Sequence, residues 1–157
     1  MKPKVYLETT VISYLVGRLS RDLIIAAHQE LTREWWESRS KKYAPFVSYL
    51  AIQELSQGDR QIARDRLQRI EKIPVLGINE KVPVLAQRLI DKKIVPRKSV
   101  EDALHIAIAT VHGMDFLVTW NCKHIANAEM RHKISMVCFD QGYEPPVICT
   151  PEELMGE

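Results

Sequence analysis

The sequence predicts a three-layer α/β/α fold, in which helices cover both faces of a central, mostly parallel sheet of about five strands. Two observations predict it. Short apolar runs rich in β-forming residues alternate with longer segments whose apolar residues recur every three to four positions. Strands that alternate with helices are typical of βαβ units and a parallel sheet. The length of 157 residues predicts one domain, residues 1–157, which is large enough to bury a core.

Five short runs are predicted as the strands of this sheet. They cover residues 5–7, 45–47, 73–78, 116–120 and 147–149. Pro74 lies inside the third run, and a proline donates no backbone hydrogen bond to a neighbouring strand. We therefore expect the third strand to lie at an edge of the sheet, or to begin at Pro74.

Longer segments with a period near 3.6 are predicted as helices. They cover residues 20–37, 48–57, 59–70, 80–91 and 99–112, and a further helix is predicted over 123–130. Ser20 is the predicted N-cap of the first of them, and this helix ends in Trp35 and Trp36. One of these two rings is expected on the core and the other at an interface. Residues 103–109 are apolar on nearly all sides, which predicts a buried helix.

Charge and cysteine content argue against several classes of protein. Lys and Arg total 22 and Asp and Glu total 20, a net charge of +2. This value argues against a massively basic nucleic-acid coat, although a local basic face stays compatible with it. Three cysteines without a CxxC pair predict neither a disulfide framework nor a cysteine zinc site. The chain lacks the apolar region of a signal peptide and the ~18-residue apolar run of a membrane span. We therefore expect a cytoplasmic protein with no membrane contact.

Polar side chains follow the predicted strands at their carboxyl ends, where parallel sheets form their ligand sites. Glu8 and Thr10 come after the first strand, and Asn121 comes after the fourth. Glu54 lies on the helix after the second strand, and Asp102 lies in the first turn of the buried helix. These separate elements are expected to bring oxygen ligands to one edge of the sheet.

Each of these residues also has a purely structural interpretation. Asp102 stands three residues after Ser99, which is the spacing of a helix capping box. Glu54 shares a helical stripe with apolar residues, so it is either paired with an arginine or bound to a metal. Glu8 can cap the segment that follows it, and Asn121 can form a turn. His105 and His112 are interpreted as hydrogen-bonded core residues.

Three carboxylates that meet in one place need a cation. Two like charges 4 Å apart repel each other by about 4 kcal/mol at an effective dielectric constant near 20. Their pKa values rise unless a positive ion lies between them. Carboxylate and amide oxygens suit Mg²⁺ or Mn²⁺, and such ions activate water against phosphodiesters. The residues therefore predict metal-dependent phosphodiester hydrolysis.

Four segments of the chain resemble, in order, the acidic elements of PIN-domain ribonucleases. They are Leu7–Ile12 (LETTVI), Ala51–Leu55 (AIQEL), Glu101–Ala107 (EDALHIA) and Leu117–Asn121 (LVTWN). This resemblance covers nearly the whole chain. It implies a Rossmann-like PIN fold and a Mg²⁺- or Mn²⁺-dependent endoribonuclease that hydrolyses single-stranded or structured RNA.

The resemblance also implies partners and residue roles. Small bacterial members of the family are commonly VapC-type toxins of type II toxin–antitoxin pairs, which are usually homodimers inhibited by a cognate antitoxin protein. By position, Glu8, Glu54 and Asp102 would be metal ligands and catalytic residues, with Asn121 as the fourth member of the set. Thr10 matches the hydroxyl residue that helps to order the site.

Two positions depart from the family pattern. Glu8 stands where the family mostly has Asp, and a displacement near 1 Å can lower a rate by about 100-fold. Asn121 is neutral, and Lys123 stands where many members carry another acid, so we expect at most one tightly bound ion in the free protein. The alternative is a catalytically weakened PIN-fold protein that binds nucleic acid or a partner. Basic residues at 92–98 precede the helix of Asp102 and either flank the site or form a solvated face.

Overall fold

Five parallel strands form the sheet in the computed structural model, which describes residues 1–156. Their spatial order is β3-β2-β1-β4-β5, and all four neighbouring pairs are parallel. The strands are β1 (Lys4–Leu7), β2 (Ala44–Ser48), β3 (Val75–Leu76), β4 (Phe116–Val118) and β5 (Val147–Cys149). The predicted parallel sheet of about five strands is therefore confirmed. Pro74 immediately precedes β3, and β3 lies at an edge of the sheet. Both positions were predicted, because a proline has no backbone N–H to donate to a neighbouring strand.

Seven α-helices are found among residues 1–156. They are α1 (Thr9–Val16), α2 (Leu23–Arg39), α3 (Tyr49–Leu55), α4 (Arg60–Ile70), α5 (Lys81–Asp91), α6 (Val100–Val111) and α7 (Ala128–Asp140). Short 3₁₀ turns cover Ser40–Lys42, Arg97–Ser99 and Glu152–Leu154. The five long helices predicted from periodicity are all present. No helix in this part of the chain is long and apolar enough to cross a membrane.

Three helix starts differ from the predictions. The helix α1 was not predicted, because its β-branched residues look like a continuation of β1. Asp22 caps α2 in place of Ser20, since the Asp22 carboxylate accepts hydrogen bonds from the amides of Ile24 and Ile25. The helix predicted over 123–130 is wrong in its start: residues 121–127 form turns, and α7 begins after Asn127, whose side chain caps it.

Apolar side chains are buried on both faces of the sheet. On β1, Tyr6 points into a cluster with residues of α5, α6 and α7. Its neighbours Val5 and Leu7 point into a second cluster, with residues of α1, α2 and α3. This alternation of side chains along a strand covered on both sides is what a three-layer parallel fold requires. Trp35 is buried in the second cluster, which confirms that one of the two rings lies on the core, and Trp36 lies partly exposed beside it.

Candidate active site

The carboxyl ends of β1 and β4 lie side by side at the centre of the sheet. Leu7 is opposite Val118 in the register, and the amide of Glu8 donates to the Val118 carbonyl (3.0 Å). Glu8 and Thr119 therefore leave the sheet together. The next strand on the other side of β1 is β2, which leads directly into α3. The topology thus brings three of the predicted site segments to one edge, as parallel sheets generally do.

Glu8 is almost completely buried, with 4% of its surface exposed. Its Oε1 atom accepts hydrogen bonds from the Thr10 hydroxyl (2.5 Å), the Thr119 hydroxyl (2.7 Å) and the Thr10 amide (3.2 Å). The bond from the Thr10 amide caps α1, so the structural interpretation of Glu8 holds alongside the functional one. The Thr10 hydroxyl also accepts from the Trp120 amide (2.9 Å). Thr10 therefore orders the turn after β4 as well as the Glu8 carboxylate.

Glu54 projects from α3 with its side chain 29% exposed. Its Oε1 atom accepts from the Thr9 hydroxyl (2.6 Å) and lies 2.5 Å from Nε2 of His105. Burial acts to raise the pKa of the Glu54 carboxyl, but the hydrogen bonds from His105 and Thr9 outweigh it. The pKa therefore lies below its usual value, and Glu54 is a carboxylate at neutral pH. Its partner is a histidine where the sequence suggested an arginine.

Asp102 lies in the first turn of α6 but does not form the predicted capping box. Ser99 makes no side-chain bond to the helix, because it ends a 3₁₀ turn. Asp102 Oδ1 accepts instead from the amide nitrogen of Asn121 (3.0 Å), and Oδ2 lies 2.8 Å from Nδ1 of His124. The amide oxygen of Asn121 accepts from the His124 backbone (3.0 Å). Both ends of the Asn121 side chain are thus used to hold Asp102 and the turn.

A chain of hydrogen bonds joins Glu8 to Asp102. The Thr119 hydroxyl donates to Glu8 and accepts from the Asn121 amide (2.9 Å), and the Asn121 side chain donates to Asp102. Hydrogen bonds therefore join four of the five predicted site residues: Glu8, Thr10, Asn121 and Asp102. Glu54 bonds Thr9, the residue after Glu8, and otherwise belongs to the separate row of His105. Glu8 lies deeper than the other two acids.

Glu54 and Asp102 face one cleft of about 350 Å³ between α3 and the start of α6. Lys98 lines the same cleft and forms no ion pair with any residue in 1–156. A lysine ammonium in a cleft lined by Glu54, Glu101 and Asp102 is suited to hold a phosphate group that approaches a cation bound there. The cleft thus combines acidic ligands with a basic group for an anionic substrate.

The oxygen ligands fit a divalent ion that keeps much of its water. Within residues 1–156, no three His, Cys, Asp or Glu side chains form a ready-made metal cage. Glu8 and Glu54 each use only Oε1 in hydrogen bonds to this part of the chain, so that Oε2 remains available in both. Mg²⁺ is commonly held by one or two carboxylates together with water and substrate phosphates. The donor set therefore suits Mg²⁺ or Mn²⁺ bound in this open manner.

Three residues in this network were missed as site residues by sequence reasoning. Thr119 and His124 were overlooked, and His105 was interpreted only as a hydrogen-bonded core residue, which it is. A signal existed for His105, because it follows Asp102 by three positions and lies one helical turn further along α6. No local pattern marks Thr119 or His124, whose acidic partners Glu8 and Asp102 are distant in sequence.

No protein-family model matches the chain, and no curated protein matches it. Chains of solved structures do resemble it, among them the following two. The first is a chain of the crystal structure of VapBC2 from Rickettsia felis bound to a promoter DNA fragment. It matches with a TM-score of 0.59 and 14% sequence identity, and the match covers 94% of this chain and 98% of that chain. The second is a chain of the structure of VapBC-1 from nontypeable Haemophilus influenzae. It matches with a TM-score of 0.54 and 18% sequence identity, and the match covers 77% of this chain and 89% of that chain.

At these identities the likeness concerns the fold. It confirms the PIN-like three-layer fold predicted from the sequence. The resemblance to VapC-type PIN domains therefore holds at the level of the backbone.

Proposed function

We propose that this protein is a metal-dependent endoribonuclease of the VapC type, the toxin of a type II toxin–antitoxin pair. The observation that carries the proposal is the cleft in which Glu54 and Asp102 lie beside Lys98 at the carboxyl end of a PIN-like parallel sheet. This arrangement suits phosphodiester chemistry, because carboxylates bind hard cations and a lysine attracts the phosphate backbone.

The protein groups would act mainly by holding charges in place. Mg²⁺ or Mn²⁺, held by Glu8, Glu54 and Asp102, would stabilise charge on the phosphate and activate the attacking water. Glu54 is kept ionised by His105. Asn121 fixes the Asp102 carboxylate through its amide nitrogen, so its role is to orient a ligand. Lys98 would bind a phosphate oxygen at the cleft and orient the RNA backbone.

The partners follow from the same reasoning. A VapC-type toxin acts on RNA, works as a homodimer and is held inactive by its cognate antitoxin. Two structures that resemble this fold are VapBC structures, which supports an antitoxin partner for this chain. Co-expression with the protein encoded by a neighbouring short gene tests this part: a complex that elutes as one species, with RNA cleavage suppressed, is expected.

The direct test is cleavage of single-stranded RNA with Mg²⁺, with Mn²⁺ and with EDTA. We expect divalent-dependent cleavage by the wild type and a loss of at least about 100-fold for Asp102→Asn. Glu129→Gln is the matched control, because Glu129 is an exposed acid in the first turn of α7 and its change removes the same charge. Equal activity of wild type and Asp102→Asn would remove the assignment.

A second candidate is favoured by the depth of Glu8. This acid is buried, its Oε1 carries three hydrogen bonds, and the described residues hold no ready-made metal cage. The alternative protein would bind RNA in the cleft without cutting it. Fluorescence anisotropy with a labelled RNA separates the two: binding with no cleavage in Mg²⁺ or Mn²⁺ supports the second candidate.

A further inference from the structure

Behind Glu54 lies a row of buried polar groups that the proposed chemistry does not use directly. The Ser48 hydroxyl lies 2.7 Å from the Tyr6 hydroxyl, which lies 2.6 Å from Nδ1 of His105. Nε2 of the same ring contacts Glu54. Ser48 and Tyr6 are fully buried and His105 is 1% exposed. Because water is excluded, these groups must satisfy one another.

The donors and acceptors fit together in one direction. Ser48 Oγ accepts from the Ala51 amide (3.1 Å), so its own hydrogen is free to be donated to Tyr6. Tyr6 then donates to Nδ1 of His105, which leaves the ring proton on Nε2, facing Glu54. In the opposite direction the Ser48 hydrogen would have no acceptor within residues 1–156. Every hydrogen is used only when His105 is neutral and protonated at Nε2.

Burial also keeps the phenol in the state that this direction needs. Desolvation raises the pKa of Tyr6 far above its usual value, and the charges of Glu8 and Glu54 raise it further, while the bond from Ser48 lowers it. The Tyr6 hydroxyl therefore keeps its proton at neutral pH and is able to donate it to His105. A phenol that cannot ionise fixes the tautomer of the ring beside it.

We propose that His105, fixed by Tyr6 and Ser48, is the positioning residue for Glu54: it holds Oε1 and so presents Oε2 to a divalent cation in the cleft. The proposal rests on the proposed function and deepens it. The effect is pre-organisation, because a glutamate side chain that is already ordered loses little freedom when an ion binds. His105 touches no substrate and acts only through Glu54.

The tautomer is tested on the metal-free full-length protein. Long-range ¹H–¹⁵N correlation spectra distinguish the two neutral imidazole forms from the charged form. We expect His105 to carry its proton on Nε2, with Nδ1 unprotonated. A proton on Nδ1 would overturn the proposed direction of the hydrogen bonds.

The positioning effect is tested by Tyr6→Phe, which keeps the ring in the core and removes only the hydroxyl. Mn²⁺ binding to the protein without RNA, followed by electron paramagnetic resonance, is expected to weaken by about 10- to 100-fold. Tyr43→Phe is the matched control, since Tyr43 packs against Trp35 and Phe116 and its hydroxyl bonds no other residue in the described part of the chain. A lower thermal midpoint with unchanged Mn²⁺ affinity would show a merely structural role and overturn the proposal.

A second pair of variants guards against loss of folding. His105→Gln keeps an N–H donor near Glu54, whereas His105→Leu has none. We expect His105→Gln to retain more Mn²⁺ affinity than His105→Leu, and equal affinities would contradict the proposal. A wild-type protein that neither binds Mn²⁺ nor cleaves RNA would defeat the proposed function as well. Mn²⁺ binding and cleavage by the wild type, with Tyr6→Phe unaffected, would defeat only the role of His105.

Discussion

Two histidine–carboxylate pairs lie at the same end of the sheet, and their histidines differ in depth. In the first pair, His105 is 1% exposed and bonds protein groups through both ring nitrogens. In the second, the side chains of His124 and Asp102 are 18% and 20% exposed, and the histidine lies in a turn between β4 and α7. Water screens the second pair and cannot reach the first ring.

The difference teaches that similar contacts have different uses at different depths. A buried pair that loses one member leaves an unsatisfied polar group, so it contributes to stability. A contact to a histidine that is partly exposed is replaced by water at less cost, so that histidine can give way when a ligand approaches. We therefore expect changes in the first pair to be seen mainly in unfolding and ion affinity, and changes in the second pair mainly in activity.

The largest expected effect is a difference in unfolding free energy between variants of the two histidines. His105→Ala leaves a cavity and removes a partner from both Tyr6 and Glu54, which should cost about 3 kcal/mol of unfolding free energy. His124→Ala, at the partly exposed histidine, should lower the unfolding free energy by about 1 kcal/mol or less. Urea unfolding of both variants in EDTA measures the difference. Equal losses would mean that depth does not distinguish the pairs.

Glu8 lies between the two pairs, and its length is matched to its donors. Glu8→Asp shortens the side chain by one methylene and draws its oxygen away from the Thr10 and Thr119 hydroxyls. We expect RNA cleavage to fall by about 10- to 100-fold, even though Asp is the residue typical of PIN domains. A rise in cleavage rate in Glu8→Asp would instead identify the natural chain as a degraded enzyme.

Much of the fold could be predicted because its strongest signals are local. The five strands and the long helices follow from runs of apolar residues and their period. The helix α1 could not be predicted, since Thr9–Val16 contains β-branched residues and becomes helical through the Glu8 cap and burial against the sheet. Tertiary context outweighs propensity in such a segment.

The site was predictable in its position more than in its contacts. Glu8 and Asn121 follow adjacent strands, so the sheet topology alone brings them together. The partners that fix them are distant: Thr119 and Glu8 are 111 positions apart, and His105 and Glu54 are 51 apart. Ser99 and Asp102 have the spacing of a local cap, yet Asp102 bonds across the fold to Asn121 and His124. From one sequence we could not predict that Asp102 bonds these distant donors and makes no capping box with Ser99.

Asn121→Asp tests the pair of His124 and Asp102, because it adds a second acid beside Asp102. The change removes the donor 3.0 Å from Asp102 and places a like charge there. Because the position is partly exposed, the repulsion should lower the unfolding free energy of the metal-free protein by about 1–2 kcal/mol. Mn²⁺ neutralises the repulsion, so thermal stabilisation by Mn²⁺ should be larger in the variant than in the wild type. Asn121→Ala, which removes the same donor without adding charge, is the control. Equal stabilisation of all three proteins would argue against a cation beside Asp102.

The smallest expected effect is a pH dependence at the buried pair. Because the folded protein holds the pKa of Glu54 below its usual value of 4.5, ionised Glu54 stabilises the fold at pH values above 4.5. That stabilisation is lost as the pH falls through the lowered pKa, since the carboxyl must then be protonated in the folded state. Glu54→Gln has no such group, so its deficit in unfolding free energy relative to wild type should shrink as the pH falls below 4.5. Urea unfolding at intervals across this range in EDTA measures the deficit, and one that stays constant or grows toward low pH would show that His105 does not favour the ionised form of Glu54.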